Sequence, residues 1–190
     1  LALTLAIAVP IGVASARRQG GLFDRTATVF VFIGFAMPGF WLALLLMRLF
    51  GVSLGWLPIS GLTSMDFARL DFWGKTADLA RHLTLPIFIY TFGSLAGMSR
   101  FMRSAMLEVL RQDYILTARS KGLSEFAVIY KHALRNALLP VITILALSVP
   151  GLIGGSVIIE SIISLPSLGH LFYQSVMARD YPLIMGNLVL

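Results

Sequence analysis

Residues 113–140 read DYILTARSKGLSEFAVIYKHALRNALLP. This one stretch is basic, holding Arg119, Lys121, Lys131 and Arg135 against Asp113 and Glu125, and it is centred on Gly122. The chain around it is 57% apolar and 13% charged over 190 residues. A soluble domain carries about 25% charged residues, so the composition points to a membrane protein with one deliberately polar segment. Leu107, Leu110, Tyr114 and Ala118 step by three and four, which predicts one apolar face of a helix running from Leu107 to Gly122. Arg111, Arg119, Glu108 and Asp113 fall off that face. Gly122 permits a sharp turn, and Ser124 is placed to cap a second helix with Glu125 near its start. That helix is expected to pass through Phe126, Ile129, Tyr130, Leu134 and Leu138. The segment thus reads as helix, turn, helix, standing off a membrane.

Working outward, apolar runs long enough to approach the ~20 residues of a spanning helix flank it. They are Leu1–Ala16, Thr26–Phe50, Leu83–Ser99 and Leu138–Ser161, with a fifth beginning near Pro182. Both ends of the sequence fall inside apolar runs, so the chain is expected to be cut at each. Arg17 and Arg18 follow the first run instead of preceding it, unlike a secretory signal. The fold class expected is all-α, a polytopic transmembrane helical bundle forming a single domain over 1–190.

Positive residues orient it. The connection after the first run holds Arg17, Arg18 and Arg25, and residues 100–137 hold Arg100, Arg103, Arg111, Arg119, Lys121, Lys131 and Arg135. Two crossings separate these connections, so they share a side. The other side has Arg69, Lys75, Arg81 and Arg179, nearly cancelled by neighbouring acids. Ten against four, with Arg48 set aside near a span end, puts 100–137 in the cytoplasm and 51–82 outside. Trp56, Phe72 and Trp73 in the outer connection fit either an interfacial aromatic belt or ordinary loop structure.

Pro38-Gly39 and Pro150-Gly151 lie in mid-span and are expected to kink or interrupt their helices. Such breaks either line a path or belong to ordinary bundle packing. Glu160 is the only acid near a span, and its place at the outer boundary favours a structural role in reach of water or headgroups. Leu168, Leu171, Phe172, Ser175 and Val176 form an outer amphipathic turn.

Other functions find little footing. Without cysteine there is no disulfide framework. His82, His132 and His170 have no metal-ligand spacing. The net charge of +6 lacks the interleaved aromatics of a nucleic-acid surface, so no nucleic acid is expected as a partner. No nucleophile–base pair and no G-x-x-x-x-G-K-[ST] phosphate loop occurs, so no enzymatic site or bound cofactor is expected.

The basic segment itself fits an amphipathic loop on acidic headgroups or a protein-docking elbow. A tight central turn and mixed acids and bases suit a protein groove better, because shape and paired charge give specificity. DYILTARSKGLSEFAVIYKHALRNALLPVIT resembles the cytoplasmic EAA loop of ATP-binding cassette importer permeases, in particular the dipeptide, oligopeptide and nickel branch. Leu116, Thr117 and Ala118 stand at the Glu-Ala-Ala positions and Gly122 at the family glycine. Leu116 departs from the generic Glu, and Arg135 stands where the generic pattern has Pro. The run GGSVIIESIISLPSLGHLFYQSVMARDYPLIMG, from Gly154, resembles the same branch, with Ser167 in place of a usual Gly.

The resemblance implies a type I importer permease in a bacterial or archaeal inner membrane, without catalytic activity of its own. It implies ABC ATPase subunits that consume the ATP, a second permease forming a heterodimer, and an extracytoplasmic solute-binding protein delivering peptides or nickel. The coupling contact is expected at Arg111, Asp113, Tyr114, Thr117, Ala118, Arg119, Lys121, Gly122 and Leu123, and pathway-lining breaks at Pro38, Gly39, Pro150 and Gly151. An ion-coupled secondary transporter, or a non-transport membrane interaction protein, is the alternative. The first of these would want an Asp or His within a span. On the favoured reading, Gly122→Pro or Gly122→Asp abolishes uptake while membrane insertion survives. Uptake assays beside quantitation of inserted protein check this.

Overall fold

The computed structural model describes residues 1–189; the side chains at 150 and 152–154 lie outside that description. The all-α expectation holds: among the described residues the regular structure is helical, with no strand. Two compact units form, one from Leu1–Ala36 and Thr91–Ser148, the other from Met37–Tyr90 and Val149–Leu190.

In the first unit, α1 (Ala2–Arg17) and α2 (Leu22–Ala36) pack as neighbours joined by a short turn in which Gly20 takes a φ of 74°. The third long element is α4 (Phe72–Leu110), whose portion from Thr91 belongs here. Its 39 residues extend about 58 Å, well beyond the ~30 Å of a hydrocarbon core. The expected 83–99 span is therefore only the middle of a longer rod, which runs on to carry Met102 and Met106. α1 meets α4 closely at Gly12, where an added Cβ would stand 2.6 Å from Met102 Cβ and 2.9 Å from the Arg103 nitrogen.

The helix expected over 107–122 is two helices. Gln112 is extended (φ −74°, ψ 146°), so α4 stops at Leu110 and α5 (Asp113–Ser120) starts afresh. The break rotates the second piece: Ile115 and Ala118 face inward, and Tyr114 stands outward. Beyond Gly122, residues Ala127–Ala133 wind as a π-helix before α6 (Leu134–Gly154). The wider π turn shifts the register of the faces. Val128, Ile129 and Ala133 are buried, while Phe126 and Tyr130 of the same arm are exposed. One core binds all of this: Val13 and Ala16 of α1, Met102, Ala105 and Met106 of α4, Ile115 and Ala118 of α5, and Val128, Ala133, Ala137 and Val141 behind them.

In the second unit, Pro38 is extended (φ −60°, ψ 133°) and precedes α3 (Gly39–Leu46), which continues into a π-helical turn, Met47–Ser53. The break expected in the second apolar run is thus present. α3 packs on α7 (Val157–Ile163), with room at Gly39 limited by Ile159 Cδ1. α8 (Leu168–Ala178) and α9 (Tyr181–Val189) follow α7, each packed on its predecessor. Pro150 lies outside the described side chains; Gly151 falls within α6.

The fourth apolar run ends earlier than expected, because Ser156 opens α7 by accepting from the Ile159 amide. Glu160 is accordingly not at a water-facing span end. It is buried and accepts four hydrogen bonds: from Tyr90 Oη (3.0 Å), the Ser156 amide (3.0 Å), Ser167 Oγ (2.6 Å) and the Gly169 amide (2.9 Å). A Cβ on Gly155 (φ 60°) would overlap this carboxylate. The structural role stands, but protein donors supply it in place of water or headgroups.

By length and composition one helix, Ala127–Val149, meets the requirement for crossing a membrane, or two if Leu22–Ala36 and Gly39–Ser53 count as one broken span. Ala2–Arg17 is apolar but shorter.

The segment before α4, around Ser64, is pinned to the start of that helix. Asp78 accepts from the Ser64 amide at 2.9 Å, and His82 Nδ1 lies 2.9 Å from the Asp78 carbonyl. The Ser64 amide holds the Asp78 carboxyl below its ordinary value of 3.8, against a smaller opposing effect of desolvation. A depressed folded pKa contributes stability above the unfolded value and loses it as pH falls through the folded one. Limited proteolysis of this loop should therefore accelerate below about pH 4 in the native protein, and Asp78→Asn should show the faster cleavage already at pH 7. Gly12→Val should lower the thermal midpoint by the equivalent of about 1–3 kcal/mol through overpacking against Met102. Gly93→Ala, with nothing within 4 Å of its added Cβ, should leave it unchanged.

Candidate coupling elbow

The turn at Gly122 is a helix C-cap of the Schellman type. The Leu123 amide donates to the Ala118 carbonyl (3.4 Å) and the Gly122 amide to the Arg119 carbonyl (2.9 Å). Gly122 takes φ 77°. Proline fixes φ near −65°, so Gly122→Pro removes both the backbone angle and the 2.9 Å hydrogen bond. An added Cβ meets nothing within 4 Å, so the demand at this position is on backbone conformation and not on space.

Three further contacts close the elbow. Ser124 Oγ accepts from the Ala127 amide (3.3 Å), as the capping expectation required. Arg119 reaches across the turn to Glu125, Nε to Oε1 at 2.8 Å with a second contact at 3.4 Å. The pair is solvent-exposed, which limits it to about 0–1 kcal/mol; its larger effect is to fix the angle between the two arms. Asn136 Nδ2 donates to Tyr114 Oη at 2.7 Å, tying α5 to α6.

The structure separates the residues expected at the contact into two groups. Ala118 is turned into the core, Arg119 is engaged with Glu125, and Gly122 acts through its backbone. Arg111, Asp113, Tyr114, Thr117, Lys121 and Leu123 are exposed. Beside them stand Leu116 at 53% exposure and Phe126 at 73%, with the Phe126 and Tyr130 rings 4.6 Å apart. Reading the two arms as uniform α-helices missed Phe126 and Tyr130 as surface residues. Exposed large apolar side chains together with exposed Lys121, Arg111 and Asp113 give the elbow the mixed make-up of a protein-binding surface.

Below the elbow lies an ion pair the spacing of charges did not reveal. Arg103 of α4 grips Asp24 of α2 with two bonds, Nε–Oδ1 at 2.6 Å and Nη2–Oδ2 at 2.7 Å, and the Gly20 amide donates to the same carboxylate at 2.9 Å. Asp24 is buried. The only sequence signal was an acid at the head of an apolar run, four residues after a glycine. Among the described residues no group of three or more His, Cys, Asp or Glu stands together as a metal site.

Residues 8–190 match the family model described as "binding-protein-dependent transport system inner membrane component". The chain is 47% identical to the oligopeptide transport system permease protein AppB of Bacillus subtilis (strain 168), over 99% of this chain and 58% of that protein. It is 42% identical to the di/tripeptide transport system permease protein DppB of Pseudomonas aeruginosa (strain UCBPP-PA14), over 94% of this chain and 57% of that protein. The chain thus spans a little under three-fifths of the length of these curated relatives.

Proposed function

The chain belongs to the family of inner membrane components of binding-protein-dependent transport systems, and from that membership we propose that it is the core of a multi-pass permease subunit of an ATP-driven peptide importer. The elbow is its coupling element. A partner ATPase hydrolyses the ATP, and the exposed face of α5 with Leu123, Phe126 and Tyr130 seats in a groove of that ATPase. A second permease completes the pathway, and an extracytoplasmic binding protein supplies the solute. Both relatives' names specify peptides, which favours peptides over nickel as the cargo class. The charge asymmetry between connections supports a cytoplasmic elbow.

One observation carries the reading: the outer face of the elbow presents apolar and charged groups while its inner face is fused to the cores of α1, α4 and α6. A surface helix lying on lipid would not need to be locked to three helices on its other side. Locked in this way, α5 cannot be displaced without displacing the helix ends beneath it, as rigid-body transmission requires.

The test is reconstitution of the full-length protein with its ATPase, second permease and binding protein. Phe126→Ala should weaken ATPase association about tenfold, the cost of truncating a central aromatic anchor, and lower peptide uptake in step. Unchanged ATPase association, with uptake intact, would overturn the docking face.

A further inference from the structure

Between α1, α2 and the lower part of α4 runs an open crevice of about 250 Å3, lined on α2 by Phe23, Phe30, Val31 and Gly34 and on α4 by Phe92 and Leu95. Its α2 wall, from Phe23 to Gly34, measures about 16 Å along the helix, roughly half of a ~30 Å hydrocarbon core and so the depth of one leaflet. A second hollow of about 210 Å3 shares Ile11, Ala27, Val31 and Ser99 with the first, and it is here that a cation enters the wall: Arg100, beside Arg103.

The two arginines differ in their partners. Arg103 is occupied by Asp24. Among the described residues Arg100 has no carboxylate within ion-pair distance; its guanidinium lies 5.8 Å from the centroid of the Phe32 ring. A cation at the side of a carbon-lined crevice, in a chain of a membrane family, complements a molecule with a long apolar tail and an anionic head. Basic hollows between membrane helices on the cytoplasmic side take phospholipid headgroups in this way.

We propose that this crevice binds one anionic phospholipid, its phosphate meeting Arg100 at the end nearer the Asp24–Arg103 pair and an acyl chain lying along α2 toward Gly34. The occupant would bridge α1, α2 and α4 beside the Asp24–Arg103 pair. Its presence would set the stability of the first unit by the charge of the surrounding leaflet. The site is independent of solute, nucleotide and ATPase.

The experiment uses the full-length protein with its partner subunits, stripped of lipid in detergent and returned to phosphatidylglycerol or phosphatidylcholine. Native mass spectrometry should count a retained phosphatidylglycerol, and the thermal midpoint should rise with it and not with phosphatidylcholine or inorganic phosphate. Arg100→Gln should weaken retention about fivefold, the loss of one basic contact. Ala27→Phe, which fills the crevice, should abolish retention. Equal retention of the two lipids, or retention unchanged in Arg100→Gln, would overturn the proposal. So would a photo-crosslinker at Phe30 that captures a polypeptide segment in place of lipid.

Discussion

One packing constraint underlies the rest of the structure: the inward side chains of a short elbow are buried in the same core as the ends of three longer helices. Ile115 and Val128 are fully buried with Met102 and Met106. Full burial of such side chains is worth about 1.5–3 kcal/mol each, several times what the exposed Arg119–Glu125 pair supplies. The elbow is therefore held by its core and angled by its polar contacts. Gly122 sets the direction of the second arm through a left-handed backbone angle that most residues avoid. The π-helical turn at Ala127–Ala133 then sets which side chains of that arm face the core.

The second unit shows a different solution to a related problem. A chain that breaks its helices inside an apolar environment must satisfy the freed backbone groups. Around Glu160 a single carboxylate does so for two helix starts at once, taking the amides of Ser156 and Gly169. The neighbouring glycines, Gly155 and Gly169, leave no room for a Cβ near that carboxylate. The Ser167 hydroxyl adds a further donor to the same carboxylate at 2.6 Å.

Much of this was legible in the residues themselves. The all-α class, the turn at Gly122, the cap at Ser124 and the interruption at Pro38 each follow from a local rule about backbone angles or donors, and local rules survive folding. The faces of the elbow were legible only in part. Periodicity assumes one continuous α-helix; the break at Gln112 reset the phase, so Tyr114 changed sides, and the π turn at 127–133 left Phe126 and Tyr130 outward, which no fixed α-helical period would tell. The Asp24–Arg103 pair and the four donors to Glu160 join residues 79, 70, 9, 7 and 4 positions apart; the longer of these links have no local signature. Charge counting found the asymmetry of the connections, but it could not tell an arginine spent on a buried partner from one left to meet a ligand.

The central claim is that α5 and the end of α4 move as one body. Spin labels at Leu116 and Phe101, both half-exposed, report it directly when pulsed dipolar distances are measured in the assembled transporter with and without ATP. The account predicts a distance constant to within about 2 Å, the scale of side-chain and small helix adjustments, while a change on the order of one helical turn, about 5 Å, would contradict it by showing that the elbow swings free of the helices it is meant to drive.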